Sequence, residues 1–313
     1  MALTINTNMA SIQAQHALSS STKSLNSSIE RMTTGYKINS AKDDAAGLAV
    51  ANKMKVKLSS VSVAESNVEL GNSMLDTIEG NYEVIQDHLQ RIRDLTEQSA
   101  NGTYSTDSLT AISTEISQRL DEITRVANST EYNGLYLLNG DFGNENGGKD
   151  GIDLQVGITS STNSVIHLDG SLFNSIQASS LTWLVKTKNT DGKEVDATGM
   201  DQAEFAKTCA GLGTTQDLEG TKGANQMLAV LDNAIATITE RTTLLGATQN
   251  RLESASDALQ VQSDNLTSSL STVRDADVAS ESSAYISAQI LQSASASLLS
   301  TANQTPSIAL NLI

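Results

Sequence analysis

Proline is almost missing from this chain: one residue, Pro306, serves 313 positions. Because proline is the strongest helix breaker, long helices are allowed nearly everywhere. Cysteine is equally scarce. The single Cys209 excludes an intramolecular disulfide and a thiolate zinc cluster. It has no surrounding pattern of a nucleophile and is read as functionally inert. Aromatic residues make up 3 % of the chain, so a core built round large rings is not expected. Positive charge is short as well: Lys plus Arg is 20 against 36 Asp plus Glu, a formal charge of −16. That balance argues against nucleic acid or an anionic membrane as partner, since both call for clustered cations. No apolar run approaches the roughly 18 residues that would read as a membrane span. The segment Met1 to Asn8 has neither the cationic start nor the continuous apolar stretch of a cleavable secretory signal, so none is expected.

The familiar constellations of chemistry are missing too. His16, His88 and His167 fall in three separate segments and none belongs to an H-E-x-x-H run, so a zinc hydrolase has no ligand set. There is no Walker loop and no G-x-G-x-x-G, hence no phosphate cradle. Asp43-Asp44 and Asp275/Asp277 read as helix starts, where carboxylates satisfy free N–H groups and oppose the dipole, not as a metal or acid/base pair. No cofactor is expected.

What is present is apolar periodicity in two flanks. Residues 1 to about 130 and about 222 to 313 are rich in Ala, Ser, Leu and Gln, while the centre holds most of the Gly and the only Trp. In the first flank, Leu18, Leu25, Ile29, Met32 and Tyr36 are spaced 7, 4, 3 and 4, which predicts one helical stripe ending at Gly35. The S-x-x-D pattern Ser40/Asp43 predicts the capping box of the next helix. That helix carries the clearest stripe of the chain: Leu75, Ile78, Tyr82, Ile85, Leu89 and Ile92, with Met54, Leu58, Val61 and Val68 in phase and Glu65 and Asn72 interrupting it. From about Ala45 to Ala100 it would extend on the order of 80 Å, with Asn101-Gly102 ending it. A shorter helix presents Leu109, Ile112, Ile116, Leu120 and Ile123 on one face.

The second flank mirrors the first in reverse. Leu245, Leu252, Leu259, Leu266 and Val273 repeat every seven residues, a heptad seam awaiting a partner helix. After the start signal Asp275-Ala-Asp277, Ile286, Ile290, Ala294 and Leu298 step by four and imply a broad apolar face. In the centre, Ile152 to Ile158 alternates strictly and Val165 to Leu168 follows a Ser/Thr-rich turn, predicting a β-hairpin. The fold class expected is mainly α: a long helical hairpin, coiled-coil-like, with a central β-hairpin and a small irregular α/β excursion. Its parts are expected to be 1–42 with 275–313, then 43–180 with 223–274, then a variable segment over 181–222.

The charged face Gln90-Arg-Ile-Arg93-Asp94-Leu95 admits two readings: a solvated face with Arg stems over apolar neighbours, or a protein contact. The terminal helices raise a larger point. A lone pair of short amphipathic helices buries too little to offset its ordering entropy, so they are expected to order among copies of the same chain. Candidate self-assembly residues are Ile5, Met9, Ile12, Leu18, Leu25 and Ile29 at one end, and Ile286, Ile290 and Leu298 at the other.

The ordered set Ile5-Asn-Thr-Asn8, Ser28 to Met32, Gly35 to Leu48, Leu245 to Leu252, Asp275-Ala-Asp277, Gln289-Ile-Leu291 and Ala302 to Pro306 closely resembles bacterial flagellin, over roughly 230 residues of the two flanks. The resemblance implies a filament subunit exported unfolded through the flagellar type III pathway to the cell exterior. The paired termini would form an inner layer, the longer helices the layer around it, and residues 181–222 would face outward. It further implies an export chaperone, hook-junction and cap proteins as partners, alongside other copies of the chain, and recognition by the Toll-like receptor that senses flagellin. Arg91, Leu95 and Glu115 match the family's receptor-binding positions, while Asp94 and Thr96 stand where Glu and Ala are common. Two alternatives remain open at this point. One is a hook–filament junction protein, whose ends are similar. The other is a secreted flagellin-like enzyme with His167 or Cys209 in its central segment.

Overall fold

The computed structural model describes residues 8–140, 151–176, 186–188, 194–196, 202–212 and 220–310. Six helices dominate: α1 (Met9–Thr34), α2 (Ala45–Ala100), α3 (Thr106–Ser129), α4 (Gln202–Cys209), α5 (Gly220–Arg274) and α6 (Val278–Leu310). Three two-stranded antiparallel ribbons, β1 (Glu131–Tyr132) with β2 (Leu135–Tyr136), β3 (Gly151–Gln155) with β4 (Val165–Asp169), and β5 (Lys186–Lys188) with β6 (Glu194–Asp196), and two short 3-10 turns, Thr162–Ser164 and Gly170–Phe173, complete the described elements. The chain is therefore mainly α, as its periodicity predicts. It divides into two compact units, residues 1–60 with 261–313 and residues 61–260.

In the first unit α1 and α6 pair antiparallel, from Asn8 opposite Ala302 to the bridge between Tyr36 and Asp275. Asn8 caps α1, its Oδ1 accepting from the Ser11 amide at 3.1 Å. Gly35 ends it in the left-handed region (φ 74°), which costs glycine little. At the start of α2 the acidic helix start read at Asp43-Asp44 is present, but the Ser40/Asp43 pattern is not its cap. Ser40 and Asp43 close a turn on each other, and the N-cap is Asp44, whose Oδ1 accepts from the amides of Ala46 (3.0 Å) and Gly47 (2.9 Å). An Asp directly before the first helical residue reaches the free N–H groups that a residue four positions earlier cannot. Asp277 caps α6 in the same way, accepting from Ala279 at 2.9 Å.

The second unit is built on heptad seams. The buried side of α5 runs Ala224, Met227, Leu231, Ala234, Ile238, Arg241, Leu245, Thr248, Leu252 and Leu259. The expected seam of leucines thus extends three heptads, about six turns, further toward the N-terminus. From α2 come Val61, Val68, Leu75, Ile78, Tyr82, Ile85, Leu89, Ile92 and Leu95, and from α3 Ile112, Ile116, Leu120, Ile123 and Val126. Gln249 Nε2 donates to Asp76 and Glu79, each at 2.9 Å, and Arg93 Nε to Asp232 at 2.6 Å, so α2 and α5 run antiparallel. The β3–β4 hairpin seats on this pair. Leu154 lies where a Cβ at position 71 would be, 2.6 Å away, so only Gly71 leaves room for it beside Leu252. The Tyr82 hydroxyl donates to the Leu172 carbonyl at 2.7 Å, and burial pushes its pKa up to about 12.

Candidate assembly and recognition surfaces

The seam between α1 and α6 is made mostly of small and polar residues. On α1 it runs Ser11, Ala14, Leu18, Ser21, Leu25 and Ser28; on α6 it runs Glu281, Tyr285, Ala288, Gln292, Ser295, Leu299 and Ala302. Both follow the 3,4 spacing of a coiled-coil interface. Cross-links reinforce it: Ser11 Oγ donates to Asn303 Oδ1 (2.7 Å), Gln292 Nε2 to Thr22 Oγ1 (3.1 Å), and Arg31 pairs with Glu281 (2.9 Å). At the loop end the Lys37 amide donates to the Arg274 carbonyl at 2.8 Å, and the Arg274 guanidinium stacks 4.0 Å over the Tyr36 ring.

This seam splits the set of residues expected to act together. Leu18 and Leu25 are half-buried against α6, whereas Ile29 and Met32 are exposed. Position 29 sits one residue past the seam position 28, about 100° further round the helix, and so cannot share it. The large apolar side chains of α6 behave alike: Ile290 and Leu298 are each 63 % exposed, and Ile286 and Leu291 are exposed with them. Met9 and Ile12 are exposed on α1. The seam thus holds Leu18, Leu25, Tyr285 and Leu299 among small and polar residues, while most of the large apolar side chains of the pair lie outside it, more than a helix pair acting alone would leave in water. Ile5 lies outside the described residues.

A second surface joins α2 and α3. Arg91 and Glu115 form an exposed ion pair (3.1 Å), and Arg119 reaches the same Glu115 oxygen at 3.2 Å. Burial acts to raise the Glu115 pKa, but the hydrogen bonds from Arg91 and Arg119 outweigh it and leave it lowered. Leu95, expected beside them at a recognition surface, is 2 % exposed. It belongs to the inner heptad phase of α2 with Ile92, which turns it into the core of this unit. Thr96 is buried one position on, and Cys209 of α4 lies near it, fully enclosed, its thiol pushed up to about 12 by burial. Among the described residues no cluster of three or more His, Cys, Asp or Glu could hold a metal ion, and no helix is long and apolar enough to cross a membrane.

One contact of the seam is not legible in the sequence. Asn8 donates its Nδ2 to the Ala302 carbonyl at 2.7 Å. Ala302 is four residues before Pro306, whose missing N–H leaves that carbonyl free. Both residues stand out in the sequence as punctuation of a helix end, but nothing in it says that they meet.

Comparison with known proteins agrees with this architecture. Residues 5–142 match the bacterial flagellin N-terminal helical region and residues 228–313 the bacterial flagellin C-terminal helical region. The chain is 32% identical to polar flagellin F of Vibrio parahaemolyticus and 33% identical to flagellin C of Vibrio cholerae, each match covering 100% of both chains. It is 32% identical to the flagellar filament 30.7 kDa core protein of Treponema maltophilum, over 96% of this chain and 95% of that one. Among solved structures, a putative flagellar hook-associated protein from Vibrio parahaemolyticus shares the fold, with a TM-score of 0.56 and 15% identity over 74% of this chain and 100% of that one. Heptad-seamed flanks, an outward apolar face on the paired ends and matches across both flanks all agree: the chain belongs to the bacterial flagellin family and is a structural subunit of the flagellar filament.

Proposed function

We propose that the outward faces of α1 and α6 are the self-assembly surface, buried between copies of this chain as the inner layer of the filament. The observation that carries this is the row of large apolar side chains that the seam leaves uncovered. Ser, Ala and Gln make up most of the contact within one chain, with Leu18, Leu25, Tyr285 and Leu299 among them, while Met9, Ile12, Ile29, Ile286, Ile290 and Leu298 remain in water. Each such side chain withdrawn from water contributes about 1.5–3 kcal/mol, so six of them add to what the seam gains alone. The terminal helices accordingly complete their order on assembly. Residues 1–42 and 275–313 make the inner layer, 43–180 and 223–274 the bundle around it, and 181–222 faces outward. Ile5 extends the same face. Export proceeds unfolded, with a chaperone, and hook-junction and cap proteins bound the polymer at its two ends.

Deleting residues 1–40 or 275–313 leaves a soluble monomer with the second unit folded. Filaments of normal yield and geometry from both deletions would sink this reading. A gentler pair, Ile290→Ser with Leu298→Ser, leaves the seam intact and lowers the filament yield while the monomer keeps its helicity.

The exposed Arg91–Glu115 pair supports a second reading, recognition by the Toll-like receptor that senses flagellin. Leu95 acts there only by holding α2 in place. Arg91→Ala and Glu115→Ala each lower receptor activation in a reporter assay, and equal activation by the double variant and the unmodified chain refutes it.

A further inference from the structure

Charge along α2 is segregated. Residues 45–64 contain Lys53, Lys55 and Lys57 and no acidic residue. From 58 to 90 there is no Lys or Arg, but Glu65, Glu69, Asp76, Glu79, Glu83 and Asp87. All three lysines are exposed, and among the described residues every ion pair is made by Arg or His, none by Lys. Within the second unit an open groove runs between α2 and α5, lined by Glu65, Glu69, Asn72 and Asp76 of α2 and Ser256 and Gln260 of α5. No cation lines it.

Two acceptors in this groove have no partner. Glu65 Oε1 and Asn72 Oδ1 are buried atoms without a hydrogen bond, one heptad apart on the face turned to α5. These are the two residues that interrupt the apolar stripe of α2. A buried carboxylate or amide oxygen left unpaired costs about 1–3 kcal/mol, and among the described residues no Lys or Arg lines the groove to balance these two or the exposed carboxylates of Glu69 and Asp76 beside them. A metal ion is a poor fit, since no three acidic or imidazole ligands converge among the described residues. Acceptors one heptad, about 10 Å, apart need separate donors, and several lysine ammoniums on flexible stems supply them.

We propose that the groove lined by Glu65, Glu69, Asn72 and Asp76 receives Lys53, Lys55 and Lys57 of a second copy of this chain. Apolar neighbours support the contact: Val56, 67 % exposed, stands among the lysines, and Leu70, 57 % exposed, stands beside Glu69. Groove and lysine collar are different patches, so the contact is heterologous. Each copy then offers one free groove and one free collar, which gives an open-ended polymer and not a closed dimer. In a chain of net charge −16, copies repel at long range, and a local cation–anion match sets which surfaces meet. This inference rests on the filament reading and names one of its lateral contacts.

The test uses full-length filaments assembled from an equal mixture of isotopically light and heavy chains, cross-linked with a zero-length carbodiimide. Mixed light–heavy peptides joining Lys53, Lys55 or Lys57 to Glu65, Glu69 or Asp76 are expected. Their absence, with cross-links elsewhere in the same filaments, overturns the proposal and leaves the filament reading standing. Wild-type chains that form no filaments overturn both. A charge swap gives an independent arm. K53E/K55E/K57E and S66K/E69K/S73K change exposed side chains, and each alone is expected to lower filament yield at least about tenfold. An equimolar mixture restores most of it, because each variant's groove then meets the other's collar. Wild-type yield from the lysine variant alone, or no recovery on mixing when both variants melt as the wild type does, overturns the proposal.

Discussion

Asn8 Nδ2 lies 2.7 Å from the carbonyl oxygen of Ala302, residues 294 positions apart. One side chain thereby does two tasks: its Oδ1 caps α1 through Ser11, and its amide nitrogen satisfies the carbonyl that Pro306 cannot. The start of the first helix is thus tied to a point four residues before the only proline. This sets the antiparallel register that Thr22–Gln292, Arg31–Glu281 and Tyr36–Asp275 continue.

Asn8→Ala removes both contacts and should destabilise the terminal pair by about 1 kcal/mol. In a Pro306→Ala background Ala302 regains an intrahelical donor, so the same change costs less. Hydrogen exchange of residues 9–22 in assembled filaments measures both. Equal losses of protection in the two backgrounds would refute the coupling.

Gly71→Ala places a methyl 2.6 Å from Leu154 and 3.5 Å from Leu252. The β3–β4 hairpin must lift to accommodate it, at about 1–3 kcal/mol. Thermal melting of a chain without its termini reports the loss, and an unchanged melting temperature contradicts the packing described. Leu154→Ala in the same chain should relieve the clash and recover part of it.

Cys209 is enclosed, with its thiol pushed up to about 12 by burial. At about pH 8 the native chain should therefore not react with a disulfide reagent, because the thiolate is the reactive form. Reaction should appear together with loss of helical circular dichroism in denaturant. Fast labelling of the folded chain would place the thiol elsewhere.

The Glu115 carboxyl is held below its ordinary value of 4.5 by Arg91 and Arg119. A depressed folded value means that the stabilisation is complete above the unfolded pKa and is lost as pH falls through the folded one. The difference in melting temperature between the unmodified chain and Glu115→Gln should be constant above about pH 5.5 and vanish in the acid range. Both partners are exposed, so the effect stays below about 1 kcal/mol. A difference that grows on acidification would reverse the assigned sign.

Much of the secondary structure was legible because the relevant signals are local. Spacings of three and four marked α1, α2, α3, α5 and α6, strict alternation marked β3, and Asn101-Gly102 marked the end of α2. Around the start of α2 the sequence offers both Ser40/Asp43 and Asp44, which carry the same chemistry within five residues, and only backbone geometry makes Asp44 the cap. The resemblance places Leu95 with Arg91 and Glu115 as a recognition residue, whereas its step of three from Ile92 already points it inward, where it is buried. The pairing of Glu65 and Asn72 with a groove could not be read, since it depends on what α5 sets opposite them.

Periodicity, one proline and a shortage of aromatics sufficed to determine that this chain builds long helices with narrow seams, because helix formation and apolar spacing depend on residues a few positions apart. Which side of each helix its own chain covers, and which it leaves in water, was decided only by tertiary structure. Leu18 and Ile29 look equivalent in the sequence, yet one meets α6 and the other does not. Burial is a property of partners hundreds of residues away, and the heptad phase they share selects one stripe and leaves the neighbouring one open.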